Sequence, residues 1–516
     1  MLKKGHSNQL LPVSIIRQLL LFILIGSAFC SHSQSFRHWT RNFNDESSLL
    51  AGAVVGGGIG PSAIYFNPAG ISEARNSSLS INTSLLSFKF YNISNALGEG
   101  HDLYNGHIQV QPRFISYLIS PKRNPKFSVE LTFLNNETYT QDYNTASNQY
   151  LDILTQLPGQ ERYFASFQHY NSFRDDWFGL GSSWKLSPSF FLGASLFVIS
   201  KSLDYRYDLD IKAYPLSDTI QSGNEQIPFY SASYLEKEYF HLNNYRLMGK
   251  IGVMYKQERI SAGLVIRTPS VNVFADGKRM HHYQSMSNIT DPDGENFLPN
   301  YEIRDYKEKK DVEVNFKDPV SIAAGLTIYS KDGKKALFTT VEYFAGNKPY
   351  SLIQSDVTLP EISGGIIDIP ARENWMTFTH GARPVLNAAI GYRLQLGENF
   401  MMMGGFRTDF NYRTKMDFVN DPNLNVQKGL DMDVYHITYG IRATILGQNV
   451  MAGLQYSFGR TSNQRQYINL ADPVEYNVIE NAPLQGERQN TMVEMINSIS
   501  LYFGATFNFG TGKDSE

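Results

Sequence analysis

Hydrophobic and polar residues alternate along much of this chain with a period of two. Leu247, Gly249, Ile251, Val253 and Tyr255 take one set of alternate positions, and Arg246, Met248, Lys250, Gly252 and Met254 the other. The pattern resumes with Ile260, Ala262, Leu264 and Ile266 set against Arg259, Ser261, Gly263, Val265 and Arg267. Successive side chains of a strand point to opposite faces, so such segments predict strands with one apolar and one mixed face. A soluble sandwich alternates in the same way, and the connections separate the two cases. Short turns fall at 121–126, 186–188, 256–258, 331–334, 397–399 and 447–449. Long polar segments lie between them, at roughly 92–106, 140–170, 203–236, 275–307, 347–382, 415–431 and 462–493. Six short turns thus alternate with seven long loops, and thirteen connections make fourteen strands. A sandwich has no reason to sort loop length by end. Outer-membrane barrels have short periplasmic turns, long extracellular loops and an even strand number.

The expected fold is therefore all-β: a 14-stranded antiparallel transmembrane β-barrel over residues 77–509. Its last strand is well marked, because Ile499, Leu501, Phe503, Ala505, Phe507 and Phe509 form one apolar face. The segment Tyr502–Phe509 resembles the signal read by the barrel-assembly machinery, although seven residues, 510–516, follow it as a periplasmic tail. Composition agrees. The chain has 31 Tyr and 33 Phe among 516 residues, as aromatic girdles require, while mean hydropathy stays at −0.30 because lumen and loops are polar.

Residues 1–33 read as a signal peptide: Lys3, Lys4 and Arg17 precede the apolar run Leu19–Ile25, and small residues follow. Cleavage after Ser33 is favoured, with Ala28 and Cys30 as alternatives. Cys30, the single cysteine, follows Phe29 where a lipobox needs a small residue, which argues against lipidation. Removing the leader takes the net charge from −3 to about −6, a balance that does not suggest nucleic acid. Past the leader no apolar run reaches the ~18 residues of a membrane helix.

Residues 34–76 precede the first strand and cannot be wall. They carry Gly56-Gly57-Gly58-Ile59-Gly60 and then Asn67-Pro68-Ala69-Gly70-Ile71. Glycine permits close backbone packing and tight bends, and Asn-Pro sets a turn. A phosphate loop would need a following Lys-Ser/Thr in a βαβ unit, and neither is present. A compact plug, or hatch, in the barrel lumen is the expected structure.

This segment, ending in Asn67-Pro68-Ala69, resembles the hatch of the FadL/TodX family, outer-membrane transporters of long-chain fatty acids and aromatic hydrocarbons. Gly249–Tyr255 with Gly263 and Arg267-Thr268-Pro269 resembles the family's central hairpin. Asp318-Pro319-Val320 resembles its Leu-Pro-led strand, with Asp in place of Leu, and Gly57–Pro61 stands where many members have an acidic pair. The resemblance implies passive uptake of a hydrophobic small molecule through apolar pockets, with Asn67, Pro68 and Ala69 at the gating hatch. It also implies a pocket beside the mature N-terminus, where Phe36 is a candidate lining residue or simply packs the hatch. Exit in that family is sideways, through a gap at a kinked third strand. Asn135-Asn136 either makes such a kink or begins the second long loop; the sequence favours the loop.

The alternative function is a secretion-linked or structural barrel that binds a protein partner. A general porin conflicts with the plug, and 43 residues are too few for the plug of a TonB-dependent receptor. The partners implied are the hydrophobic ligand, outer-membrane lipid and, during biogenesis, the assembly machinery; a monomer with both termini periplasmic is expected. No catalytic set, cofactor or metal is expected. His281-His282 reads as solvated loop, His101, His107, His380 and His436 lack metal spacing, and Glu302–Lys310 reads as a charged loop edge. Met401–Met403 reads as wall packing.

Overall fold

The computed structural model describes residues 36–509 except 41, 44, 58–59, 74–76, 122–125, 158, 217–218, 223–224, 229–230, 310–311, 360–361, 364–367, 370–371 and 415–428. The predicted leader, its cleavage site and the C-terminal tail lie outside the described residues. Fourteen antiparallel strands close into a ring. They are β1 Ser77–Ser94, β2 Leu103–Ile119, β3 Phe127–Leu151, β4 Glu161–Lys185, β5 Phe190–Pro215, β6 Ala232–Lys256 and β7 Ile260–Arg267. The remainder are β8 Ser321–Tyr329, β9 Lys335–Phe344, β10 Val385–Gln395, β11 Phe400–Asp409, β12 Val434–Ile445, β13 Gln448–Gln464 and β14 Met492–Phe509. The seam joins β1 to β14, running from Ser77↔Phe509 to Ser94↔Val493. Closing the ring pairs each of the fourteen strands on both sides, as the backbone's need for hydrogen bonds in lipid requires. The short turns lie where the sequence places them, to within two residues.

The alternation has the expected sense near those turns. On β6, Leu247, Ile251 and Tyr255 face outward while Arg246, Met248, Lys250 and Met254 are buried. Outward Tyr255 and Tyr245 stand ten residues apart. At roughly 3.3 Å per residue and ~40° of tilt this marks a band of about 25 Å, the height of an outer-membrane apolar belt.

Above that band the long segments differ from expectation. Most of 140–170 and 203–236 is not loop but a continuation of β3, β4, β5 and β6, each 25 or 26 residues long. The physical reason is an inversion of faces. Along β5, outward Leu196 and Val198 give way to Asp204, Arg206, Asp208, Asp210 and Lys212, while Leu203, Tyr205, Tyr207, Leu209 and Ile211 are buried inside. Lipid demands an apolar exterior and water a polar one; the period of two persists through the change. The inward residues join one apolar cluster with Tyr139, Phe167, Phe240 and Phe378. Likewise Val271–Ser287 extends beside β6, from Val271↔Leu247 to Ser287↔Ser233, and Tyr301–Lys309 pairs beside it. His281-His282 and the Glu302 region are thus strands, a correction to the loop reading.

Candidate functional site

The N-terminal segment 36–73 is built from two short helices, α1 (Asp45–Leu49) and α2 (Ala63–Phe66), and a tight helical turn, Pro68–Glu73. Gly52, at φ +82°, turns the chain back between them. This segment touches strands all around the ring, so it lies inside it. Eight inward glycines, paired across four ladders, form its seat: Gly193↔Gly252, Gly263↔Gly325, Gly391↔Gly405 and Gly440↔Gly453. A Cβ at Gly193 would stand 2.2 Å from the Pro68 carbonyl carbon, one at Gly263 2.0 Å from Val55 O, and one at Gly325 2.4 Å from Gly56 N. At Gly405 and Gly453 the same atom would meet Leu50 C at 2.7 Å and Leu49 Cδ2 at 2.3 Å. Glycine is needed here for space, because backbone lies directly against backbone.

Asn67 is fully buried and fastens the segment. Its Nδ2 donates to Val55 O at 2.9 Å within the segment and to Val253 O of β6 at 3.2 Å, while Oδ1 accepts Ala69 N–H at 3.1 Å. Ala69 O accepts the Ser183 hydroxyl of β4 at 2.8 Å, and Tyr65 O accepts Lys250 Nζ at 2.6 Å. Asn67, Pro68 and Ala69 are thereby brought together at one contact with β4, β5 and β6.

Phe36 lies at the other end of the segment. It is buried against His380 and Tyr412, with the Arg413 guanidinium 4.8 Å above its ring. His38 is clamped between Phe344 and Tyr412 at 4.1 and 4.4 Å. Burial first, then Arg267, lowers its pKa to about 3, so it is neutral in the folded state. Asp318 sits close by, before β8. Burial alone would raise its carboxyl, but Lys201 at 2.9 Å, Ser270 and Arg267 outweigh that and hold it below the ordinary range. The Asp found where Leu is usual is therefore the anchor of a part-buried ion pair.

A cavity of about 60 Å³ lies beside this segment, lined by Arg37, Thr40, Arg113, Glu137, Asp409 and His436 among others, but not by Phe36. It borders the most irregular part of the wall. Among the described residues the β2–β3 ladder runs only from Ile119↔Val129 to Phe114↔Leu134. Beyond Phe114, β2 continues to Leu103 on β1 alone, and beyond Leu134, β3 continues to Leu151 on β4 alone. Asn105 Nδ2 bridges back to Asp142 O at 2.8 Å, which bounds the break from above. At the same level β3 carries a bulge at Asn135/Glu137, and residues 137–141 are buried in succession instead of alternately. Both faces of β3 are therefore covered at this level. The N-terminal segment reaches this bulge: Thr40 Oγ1 donates to Asn136 O at 3.1 Å and Tyr65 OH to Asn136 Oδ1 at 3.3 Å. Asn135-Asn136 is thus a bulge inside a long strand and does not begin a loop.

No family model matches the sequence, and no curated protein does. Solved structures do. A Pseudomonas aeruginosa FadL homologue superposes with a TM-score of 0.54 at 11% identity, covering 92% of this chain and 100% of its own. The Pseudomonas putida toluene transporter TodX gives 0.52 at 12%, covering 91% and 99%. The chain has the FadL/TodX barrel fold.

Within this FadL-type barrel one further constellation invites a chemical reading. Ser457 Oγ lies 2.7 Å from His436 Nδ1, and Asp409 Oδ2 lies 3.6 Å from His436 Nε2. Asp409 also accepts Trp39 N–H at 2.9 Å and faces Arg37 at 3.3 Å, while Gln455 Nε2 donates to Ser457 at 2.9 Å. The carboxylate is spent on the N-terminal segment and stands beyond hydrogen-bond range of the imidazole, so the group serves docking. Sequence reasoning named His436 only as a histidine without metal spacing and missed Asp409 and Ser457, because the three come from β12, β11 and β13. The signal available was that each occupies an inward position of its strand.

Proposed function

We propose that the chain is an outer-membrane channel for passive uptake of hydrophobic small molecules, with residues 34–76 as a gating hatch and both termini periplasmic. The break between β2 and β3 is the observation that carries the reading. An apolar solute gains about 0.8 kcal/mol per CH2 on leaving water, so a path that returns it to a watery pore is opposed. The proposed exit is a side window in the wall between Phe114/Leu134 and Asn105/Asp142, which would release it without such a return. Two further features support the proposal. The interior above the membrane band is apolar and aromatic, suited to first capture. The hatch also touches the window's bulge at Asn136, so hatch displacement and window geometry are coupled. The superposed structures, a FadL homologue and a toluene transporter, agree with it.

Deleting Asn136 removes the extra residue of the bulge and should restore a regular alternation to β3. Uptake of radiolabelled toluene and oleate by cells carrying this deletion should fall at least tenfold, with the barrel still running as a folded, heat-modifiable band. Unchanged uptake of both, against measurable uptake by the parent, sinks the lateral route. No uptake or copurifying lipid with the parent itself would sink the channel reading and favour the partner-binding barrel.

A further inference from the structure

We propose that Glu236, Glu238 and His282 form a site for a zinc-class divalent cation on the extramembrane part of the wall, independent of the channel reading. Glu236 and Glu238 lie two residues apart on one face of β6, and His282 stands directly opposite Glu238 in the neighbouring strand Val271–Ser287. One ligand atom from each lies within 4.8 Å of the others. His282 is 4% exposed and its Nε2 has no hydrogen-bond partner. That atom points between Glu236 Oε1 at 3.8 Å and Glu238 Oε1 at 3.9 Å.

These separations are informative. They are too long for hydrogen bonds, so the buried imidazole gains little from either carboxylate. Two ligands about 2.0–2.2 Å from one zinc ion lie roughly 3.3–3.6 Å apart at the tetrahedral angle. The two His282–carboxylate separations need contract by only a few tenths of an ångström to seat the ion, and the two carboxylates, whose ligand atoms lie within 4.8 Å of each other, close onto it from one strand.

The surroundings supply what a metal ligand set needs from its neighbours. Trp375, from a separate loop strand, stacks on the His282 ring at 4.0 Å and 20°, which fixes its plane. Tyr234 OH donates to Glu236 Oε2 at 3.1 Å and accepts from Gln284 Nε2 at 2.9 Å, which orients that carboxylate. Two oxygens and one imidazole nitrogen, with a fourth position left for water, suit zinc or a similar first-row ion. Calcium takes six to eight oxygens. A bound cation would tie β6 and its neighbour to the loop strand that carries Trp375, stiffening the rim of the mouth.

The test uses the untagged mature protein in detergent after chelator dialysis. Calorimetric titration with zinc chloride should give one site per chain, with calcium at least 100-fold weaker. His282→Asn and Glu238→Gln should each weaken zinc at least 100-fold, and His281→Asn, on the opposite face, should not. Cobalt(II) bound to the parent should quench Trp375 fluorescence, a readout that needs no variant and that Trp375→Phe abolishes. Absence of zinc binding to the parent, equal affinity for calcium, or undiminished binding in the two ligand variants overturns the proposal. An unquenched Trp375 overturns it even where a variant does not fold.

Discussion

Replacing Gly263 by alanine would put a methyl carbon 2.0 Å from Val55 O and 2.6 Å from Asn67 Nδ2. Ordinary carbon contacts begin near 3.5 Å, so something must move by more than 1 Å. The wall cannot yield easily, because β7 is laddered to β6 on one side and to β8 on the other. The N-terminal segment yields instead. Overpacking of this kind costs about 1–3 kcal/mol. Pulling Asn67 away from Val55 O and Val253 O adds roughly 0.5–1.5 kcal/mol for each bond. A total of about 2–6 kcal/mol follows, and since ~1.4 kcal/mol is a factor of ten, undocking becomes at least about thirtyfold more populated. The assay is hydrogen exchange at the Val55 amide, which is held by Thr340 Oγ1 at 3.2 Å, together with single-channel conductance in planar bilayers. Protection should fall by that factor and open bursts should become frequent, while the barrel itself still runs as folded. Gly249→Ala is the control, since its nearest neighbour would be 3.7 Å away. Equal protection and conductance in Gly263→Ala and the parent would refute the steric argument. So would an equal effect of Gly249→Ala.

Two other expectations follow from the same structure. The pKa of His38 falls from 6.5 to about 3 on folding, so its contribution is fully present above about pH 6.5 and is lost as pH falls toward 3. That makes roughly 2 kcal/mol by pH 5, and the acid-induced loss of N-terminal protection should shrink by this much in His38→Asn. On β5, Leu196→Arg lies on the lipid face and should destabilise the barrel by about 2–4 kcal/mol in a urea titration from lipid vesicles. Asp208→Ala, above the inversion, should stay within ~0.5 kcal/mol; equal effects would misplace the membrane boundary.

The sequence was most readable where chemistry is local. Turns such as Lys256–Glu258, the apolar face ending at Phe509, and the Asn-Pro-Ala corner each declare themselves within a few residues. The extramembrane strands were hidden because apolar residues were sought outside and polar ones within. From Leu203 to Ile211 the alternation is intact, but its faces have exchanged roles, so a polar stretch was read as loop. Residues whose partners lie far along the chain were illegible for a different reason. His282 looks solvated until Trp375, from another loop, covers it. The cavity beside Arg37 is assembled from β1, β2, β3, β11, β12, β13 and β14. Phe36, singled out through the family resemblance, packs with His380 and Tyr412, partners more than 340 residues away that the sequence around it could not reveal.

The paired glycines have a consequence for biogenesis. They leave no clearance between the inner wall and backbone at Val55, Gly56 and Pro68, so a finished cylinder offers little room for threading this segment in afterwards. The geometry therefore asks that the segment be in place before the seam from Ser77↔Phe509 to Ser94↔Val493 closes, as a mandrel on which the open sheet curls before its two edges zip.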